Sequence, residues 1–377
     1  DLVCYWFVKA LDEITSKNAK AAGLVATNSI AGGNNIDVLR RIKEEAEIYE
    51  AWRDEPWVVD GASVRVSLVC FSKQGVHTPI RLDGQMVPTI GSDLQGGVDF
   101  GYVRRLRENT GVSFIGTQKN GPFDIDGREA RKMILNGYNP NGRPNSDVVR
   151  PWINGSGLVR RDPDRWIIDF GTNRTQEASA LYESPFEYVK QYVKPTRIHL
   201  RREWHRTRWW LHGDPRPALR KAVEPLRRFI ATPLVSKHRI FVFLPSSRIP
   251  ENTVIVIARE DYTSFGLLHS RLHTMWSLRL ATRLGKGNDP RYTPTTTFET
   301  FPFPEGLTPD TPASDYASDP RAQAIAETAR KLNEQREAWL NPPELVKREP
   351  EVVEGYPDRI VPVSEAAEKE LKKRTLT

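Results

Sequence analysis

Between Lys194 and Arg239 thirteen Lys or Arg residues face only Glu203, Asp214 and Glu224, so this stretch carries +10 in a 377-residue chain whose net charge is +7. Arg201, Arg202, Arg206 and Arg208 are its densest cluster, and Trp204, Trp209, Trp210 and Phe229 are interleaved with the cations. A basic surface with aromatics suits a polyanion carrying stackable or groove-facing bases. The same composition also fits an arginine-rich amphipathic element whose tryptophans are core. Asn and Arg read adenine and guanine edges bidentately, whereas Lys, Arg and backbone amides hold phosphates. Arg143, Asn145, Arg150, Trp152 and Asn154 share a stretch rich in Gly, Pro and Asn, which predicts an exposed loop. Lys237, His238 and Arg239 stand between two strand-like runs, where a hairpin would push them into a groove. Arg291 and Tyr292 project from Gly-Asn-Asp-Pro-Arg-Tyr-Thr-Pro-Thr-Thr-Thr-Phe-Glu-Thr-Phe-Pro-Phe-Pro (287–304), through which the prolines predict no helix. Asn145, Asn154, Lys237 and Arg239 are the candidates for base readout.

Other site chemistries are poorly served. His269 and His273 have helical metal spacing, but Ser270 stands where a metalloprotease glutamate would, and helix packing is the stronger reading. The two cysteines, Cys4 and Cys70, lie in apolar stretches of different elements, as small buried hydrophobes do in a reducing compartment. Asn341-Pro342-Pro343 is followed by Glu344 and reads as the end of a helix. There is no Walker loop, no Gly-x-Ser-x-Gly and no acidic-acidic-lysine cluster of nuclease type. No apolar run approaches the roughly 20 residues of a membrane helix, and a cytoplasmic, non-membrane protein is expected.

The elements that must position these residues alternate early in the chain. Leu2, Val3, Trp6, Ala10, Leu11 and Ile14 predict one helix face, with Asp1–Phe7 a buried helix; Ala22–Asn28 reads as a strand and Ile36, Leu39 and Ile42 as a second helix. Ile48–Trp52 and Ser63–Phe71 read as strands joined through Val59-Asp60-Gly61, too close for a crossover helix and therefore antiparallel neighbours. Ser72 to about Gly97 is rich in Gly, Pro, Asp and Gln and reads as a boundary, with a small hairpin at Ile80–Val87. Residues 100–304 mix short strands (166–170, 239–244, 254–258) with helices, one of them near 264–284, and are α+β in character. After a polar linker, Asp319-Pro320 begins a helix with Ala322, Ile325, Ala329, Leu332 and Trp339 along one face.

Several of these strings, in one order along nearly the whole chain, resemble the adenine-specific DNA methyltransferase region of MmeI-like restriction-modification proteins. Asp1–Phe7, Gly23–Ile30, Trp52–Val59 and Val64–Phe71 are similar to the motifs that follow the catalytic loop of amino-methyltransferases. Residues 139–154, 166–171, 231–239 and 287–304 are similar to the family's target-recognition region. The family joins a nuclease, a helical connector, an N6-adenine methyltransferase dependent on S-adenosylmethionine and a DNA-recognition domain. The resemblance thus implies an α/β fold: the C-terminal half of a Rossmann-like methyltransferase sheet with a reversed last strand at its edge (1–72), a linker (73–99), an α+β target-recognition domain (100–304), and a linker with C-terminal helices (305–377). It implies double-stranded DNA as partner and S-adenosylmethionine as cofactor. The glycine-rich cofactor turn and the Asn-Pro-Pro-aromatic loop that holds a flipped adenine are expected in an N-terminal part of the same polypeptide. No catalytic residue is therefore assigned, and the chain alone is expected to be inactive. Trp57, just ahead of the reversed strand, occupies the place of an aromatic that stacks on the extruded base, against the plainer reading of a core tryptophan on a sheet edge. Two alternatives remain: a stand-alone DNA-binding specificity module, and an RNA-directed methyltransferase piece, which the resemblance disfavours.

Overall fold

The computed structural model describes residues 2–59, 62–136, 138–284 and 289–377. The chain divides into a unit formed by 1–104 with 279–282 and a second formed by 105–278 with 283–377.

In the first unit α1 (Leu2–Thr15) and α2 (Ile36–Glu45) pack on a sheet of β1 (Ala21–Thr27), β2 (Glu47–Val59), β3 (Ala62–Ser72), β4 (Arg81–Leu82) and β5 (Gln85–Met86). The order is β1-β3-β2-β4-β5, and β3 is antiparallel to both β1 and β2. The reversed strand is therefore interior, not at the edge as expected. Its hairpin with β2 consumes only one of its edges, and β1 takes the other from Ala21↔Ser72 to Thr27↔Val66. The tip residues Asp60 and Gly61 lie outside the described residues. α1 is rotated from its expected face: Phe7, Leu11 and Ile14 are buried at i, i+4 and i+7, with Phe7 stacked on Phe71, while Leu2, Tyr5 and Trp6 are exposed. The expected linker is also corrected. β4 pairs with β2, Leu82, Ile90 and Leu94 join the same core, and the Asp99 carboxylate accepts from the Ser92 N–H (2.7 Å) and the Gly101 N–H (2.8 Å). Turn-rich composition here encodes ordered turns.

The second unit holds two four-stranded sheets. One, in the order β11-β10-β13-β6, is antiparallel and comprises β6 (Ser113–Ile115), β10 (Arg228–Pro233), β11 (Val242–Pro245) and β13 (Val254–Ile257). The other, in the order β12-β8-β9-β7, comprises β7 (Asp124–Asp126), β8 (Val149–Ile153), β9 (Arg165–Ile168) and β12 (Ile249–Pro250). Trp209, Trp210 and Phe229, expected among the surface cations, are core, and Trp204 alone of the four is exposed. The helix expected near 264–284 is two, α9 (Tyr262–His269) and α10 (Arg271–Arg279), broken at Ser270, whose ψ of 151° is extended. Pro294–Phe298 forms one π-helical turn where no helix was expected; proline at its first position needs no donor, and Asn109 Nδ2 donates to the Phe298 carbonyl at its end (3.4 Å) and to the Phe301 carbonyl beyond it (2.8 Å). Residues 305–377 belong to this unit. α11 (Pro320–Leu340), capped by Asp319, lies against α9 so closely that a Cβ on Gly266 would meet Ile325 Cγ2 at 2.5 Å.

Both histidines of α9 and α10 use their two ring nitrogens inside the protein. His269 Nδ1–H donates to the Phe265 carbonyl and Nε2 accepts from the Phe241 N–H and Arg336. His273 Nδ1–H donates to the Leu268 carbonyl and Nε2 accepts from the Tyr292 hydroxyl. Burial pushes both pKa values down to about 3. The unfolded chain, titrating near about 6.5, binds more protons between these values. Stability from the neutral rings is therefore complete above about pH 6.5 and declines as pH falls toward about 3. The urea midpoint is expected to be lower at about pH 4.5 than at about pH 7; equal midpoints would mean that these rings do not govern the acid limb.

Candidate nucleic-acid interface

The basic stretch separates into inward and outward halves. Arg197 is fully buried near the start of the 194–211 segment, and its guanidinium donates to the carbonyls of Asn120 (3.0 Å), Trp209 (3.0 Å), Lys119 (3.3 Å) and Leu211. Arg220 holds the buried Asp169 at 2.7 Å, Arg216 pairs with Asp214, and Arg228 lies over the Phe243 ring at 3.7 Å. The fixed ends at Arg197 and Trp209 leave 198–208 on the surface except for His205, which is buried with its Nε2 3.2 Å from Asn120 Nδ2. There Arg201, Arg202, Arg206 and Arg208 are exposed with no carboxylate partner among the described residues, and Arg208 stacks over Trp204 at 4.2 Å.

A second feature is an open cleft of about 630 Å³, lined by the turn after β8, the loop after β10 and the β12–β13 turn. Lys237 and His238 line it and are exposed, as expected. Asn154 lines it too, but its Oδ1 already accepts from Ser156 Oγ (2.9 Å) and the Gly157 N–H (3.0 Å), so bidentate reading of adenine would require breaking this turn. Glu251 and Thr253 also line the cleft, with Thr253 Oγ1 donating to Glu251 at 2.8 Å. Sequence reasoning missed both; their signal was a polar turn between two apolar strands.

The remaining candidates are differently placed. Asn145 is buried, donating to the Met133 carbonyl and accepting from Asn139, each at 2.8 Å, so it fastens its loop instead of exposing an amide. Trp152 is core with Lys119 over its ring, and Arg150 donates to the Ser247 carbonyl. Arg143 is exposed but bridged to Asp147 at 2.6 Å. Tyr292 is fully buried, its hydroxyl donating to His273. Arg291 is half-buried with its backbone bridged to Val235, and Arg239 is buried. For Asn145, Arg143 and Arg150 the cause is shared: a polar loop with enough internal donors and acceptors folds onto itself. In the first unit Trp57 pairs with Val64 and is 41% exposed, so it is not core.

Residues 129–305, the segment that holds the arginine patch and, apart from Thr377, the residues lining the cleft, match the family described as MmeI, target recognition domain. Over these residues the chain is similar to that target-recognition domain. A solved structure of the Type IIL restriction-modification enzyme MmeI in complex with DNA is similar to this chain, with a TM-score of 0.64 and 18% identity over 88% of the chain. The chain spans 49% of that enzyme's length. No curated protein matches it. The matching segment begins within α3 (Gly127–Leu135) and ends at Glu305, in the stretch that precedes α11. Among the described residues no helix is long and apolar enough to cross a membrane.

Proposed function

We infer that this chain is the DNA-reading portion of a site-specific restriction-modification protein, in which the second unit binds duplex DNA. The observation that carries the reading is the target-recognition match over 129–305, the same residues that present the unpaired arginines and the cleft. Arg201, Arg202, Arg206 and Arg208 would hold phosphates. Lys237, His238, Asn154 and Glu251 would face base edges, Lys donating to guanine and a carboxylate accepting from the cytosine amino group.

The finer reading is adenine-N6 methylation by the whole polypeptide, with S-adenosylmethionine bound by residues outside this chain. A strand, β3, that runs antiparallel to its neighbours supports treating the first unit as part of such a catalytic sheet, although it lies inside the sheet and not at the expected edge. Trp57, exposed on β2, would stack on the extruded adenine.

Selection of bound duplexes from a randomised DNA pool tests the recognition reading. One preferred site should emerge. Lys237→Ala should then relax preference at one base pair, at a cost of about 1 to 3 kcal/mol there, whereas a phosphate contact would weaken all sequences alike. Failure of the wild-type chain to enrich any sequence would sink the reading.

A further inference from the structure

A second cavity, of about 360 Å³, lies in the second unit among β8, β9, β11, α11 and a hairpin formed by Val346–Glu349 and Arg359–Pro362. It shares no lining residue with the cleft, and its α11 and hairpin walls lie outside the 129–305 match. Its volume falls in the range of small-molecule sites, about 300 to 1,000 Å³.

The charges on its walls do not cancel. The carboxylates there are engaged: Asp162 with Arg248, Asp164 and Glu351 with Arg131 at 2.8 Å each, and Glu337 with Asn341 Nδ2 at 3.3 Å, which leaves the exposed Asp358. Two half-buried arginines on the walls have no carboxylate partner among the described residues. Arg336 donates from Nη1 alone, to the Phe241 carbonyl (3.0 Å) and to the neutral His269. Arg161 donates from Nε to Asn341 Oδ1 and from Nη2 to the Ile360 carbonyl, each at 3.0 Å. That leaves Nε and Nη2 of Arg336 and Nη1 of Arg161 without a partner, and none of the three is sealed from solvent. Burial lowers both guanidinium pKa values, Asp162 and Glu368 opposing this at Arg161 only from beyond ion-pair distance. As arginines both stay charged at neutral pH. Arg160 and Arg165, exposed on the same wall, lack a carboxylate too. Phe243, Leu340, Ile360 and Val361 supply apolar surface beside these cations.

We propose that this cavity binds a small phosphomonoester of mononucleotide size, its phosphate held by Arg336 and Arg161 and its body laid against Phe243, Leu340, Ile360 and Val361. A carboxylate would bring one charge to two uncompensated guanidiniums, whereas a phosphomonoester brings about 1.5 to 2 at neutral pH and accepts the forked donors of arginine. A duplex cannot enter a cavity of this volume. The site is therefore independent of the DNA-recognition reading and goes beyond it.

Calorimetric titration of the full chain with the common nucleoside 5′-monophosphates, alongside inorganic phosphate and adenosine, tests the proposal. At least one nucleotide should bind once per chain, on the order of tenfold tighter than either inorganic phosphate or the nucleoside, because only it meets both the cations and the apolar wall. Arg161→Met combined with Arg336→Met should weaken that binding by on the order of tenfold or more. Val361→Trp, which narrows the cavity from the hairpin and leaves the arginines in place, should do the same, and it decides the matter if the double variant does not fold. Charge reversal at Arg201, Arg202, Arg206 and Arg208 should leave nucleotide binding unchanged. The proposal is overturned if no nucleotide binds at millimolar concentration, or if inorganic phosphate binds as tightly. It is overturned equally if a folded double variant or Val361→Trp binds like the wild type, or if reversal of the arginine patch removes the binding instead.

Discussion

Reversing the charge of Arg201, Arg202, Arg206 and Arg208 together is expected to produce the largest loss of DNA affinity available on this surface. Each neutralised phosphate releases condensed counterions, so the log-log salt slope should fall by about 0.9 per contact, or about 3.6 if all four arginines touch the backbone. The stability of the free protein should hardly change, because these side chains are exposed and have no carboxylate partner among the described residues. Titration of a duplex at several salt concentrations measures the slope, and urea unfolding measures stability. An unaltered slope in a normally folded variant would mean that the 198–208 segment does not meet DNA. Trp204→Ala separates the stack from the charges: removing the platform under Arg208 should weaken binding without changing the slope by a full phosphate.

Arg197→Met should do the reverse, costing about 3 kcal/mol or more of stability. Its guanidinium is fully buried and serves four carbonyls, and those of Asn120, Trp209 and Leu211 would lose their donor at about 1 to 3 kcal/mol each, partly offset by the desolvation no longer required. Lysine should not rescue it, since a point ammonium cannot span the planar fork of acceptors. The comparison with Arg239 is direct. Two buried arginines of the same basic stretch should respond oppositely to methionine, because one has a partner on each of its three nitrogens and the other has none among the described residues. A urea midpoint for Arg197→Met equal to wild type would refute the anchoring role and the account of how 198–208 is presented.

Hydrophobic periodicity and capping residues were legible without coordinates. β13 is an unbroken apolar run, Asp319-Pro320 starts α11 with the cap accepting from the Arg321 N–H (2.8 Å), and the helix stops before Asn341-Pro342. The order of several unusual strings pointed to the family that the 129–305 match then supplied. These properties are local or textual, so a chain read from one end to the other displays them. Which cations face water is not local. Asp169 neutralises Arg220 from 51 positions away, and Asn120 receives Arg197 from 77, so a charge count cannot see either partner. The same reason buried Asn145 and Tyr292, and placed β3 inside its sheet: a turn-rich or polar segment is exposed only if nothing distant in the chain completes its hydrogen bonds or covers its edge. The sequence determined what kind of elements and surface this protein has, and tertiary packing alone decided which of its many arginines remain available to a ligand.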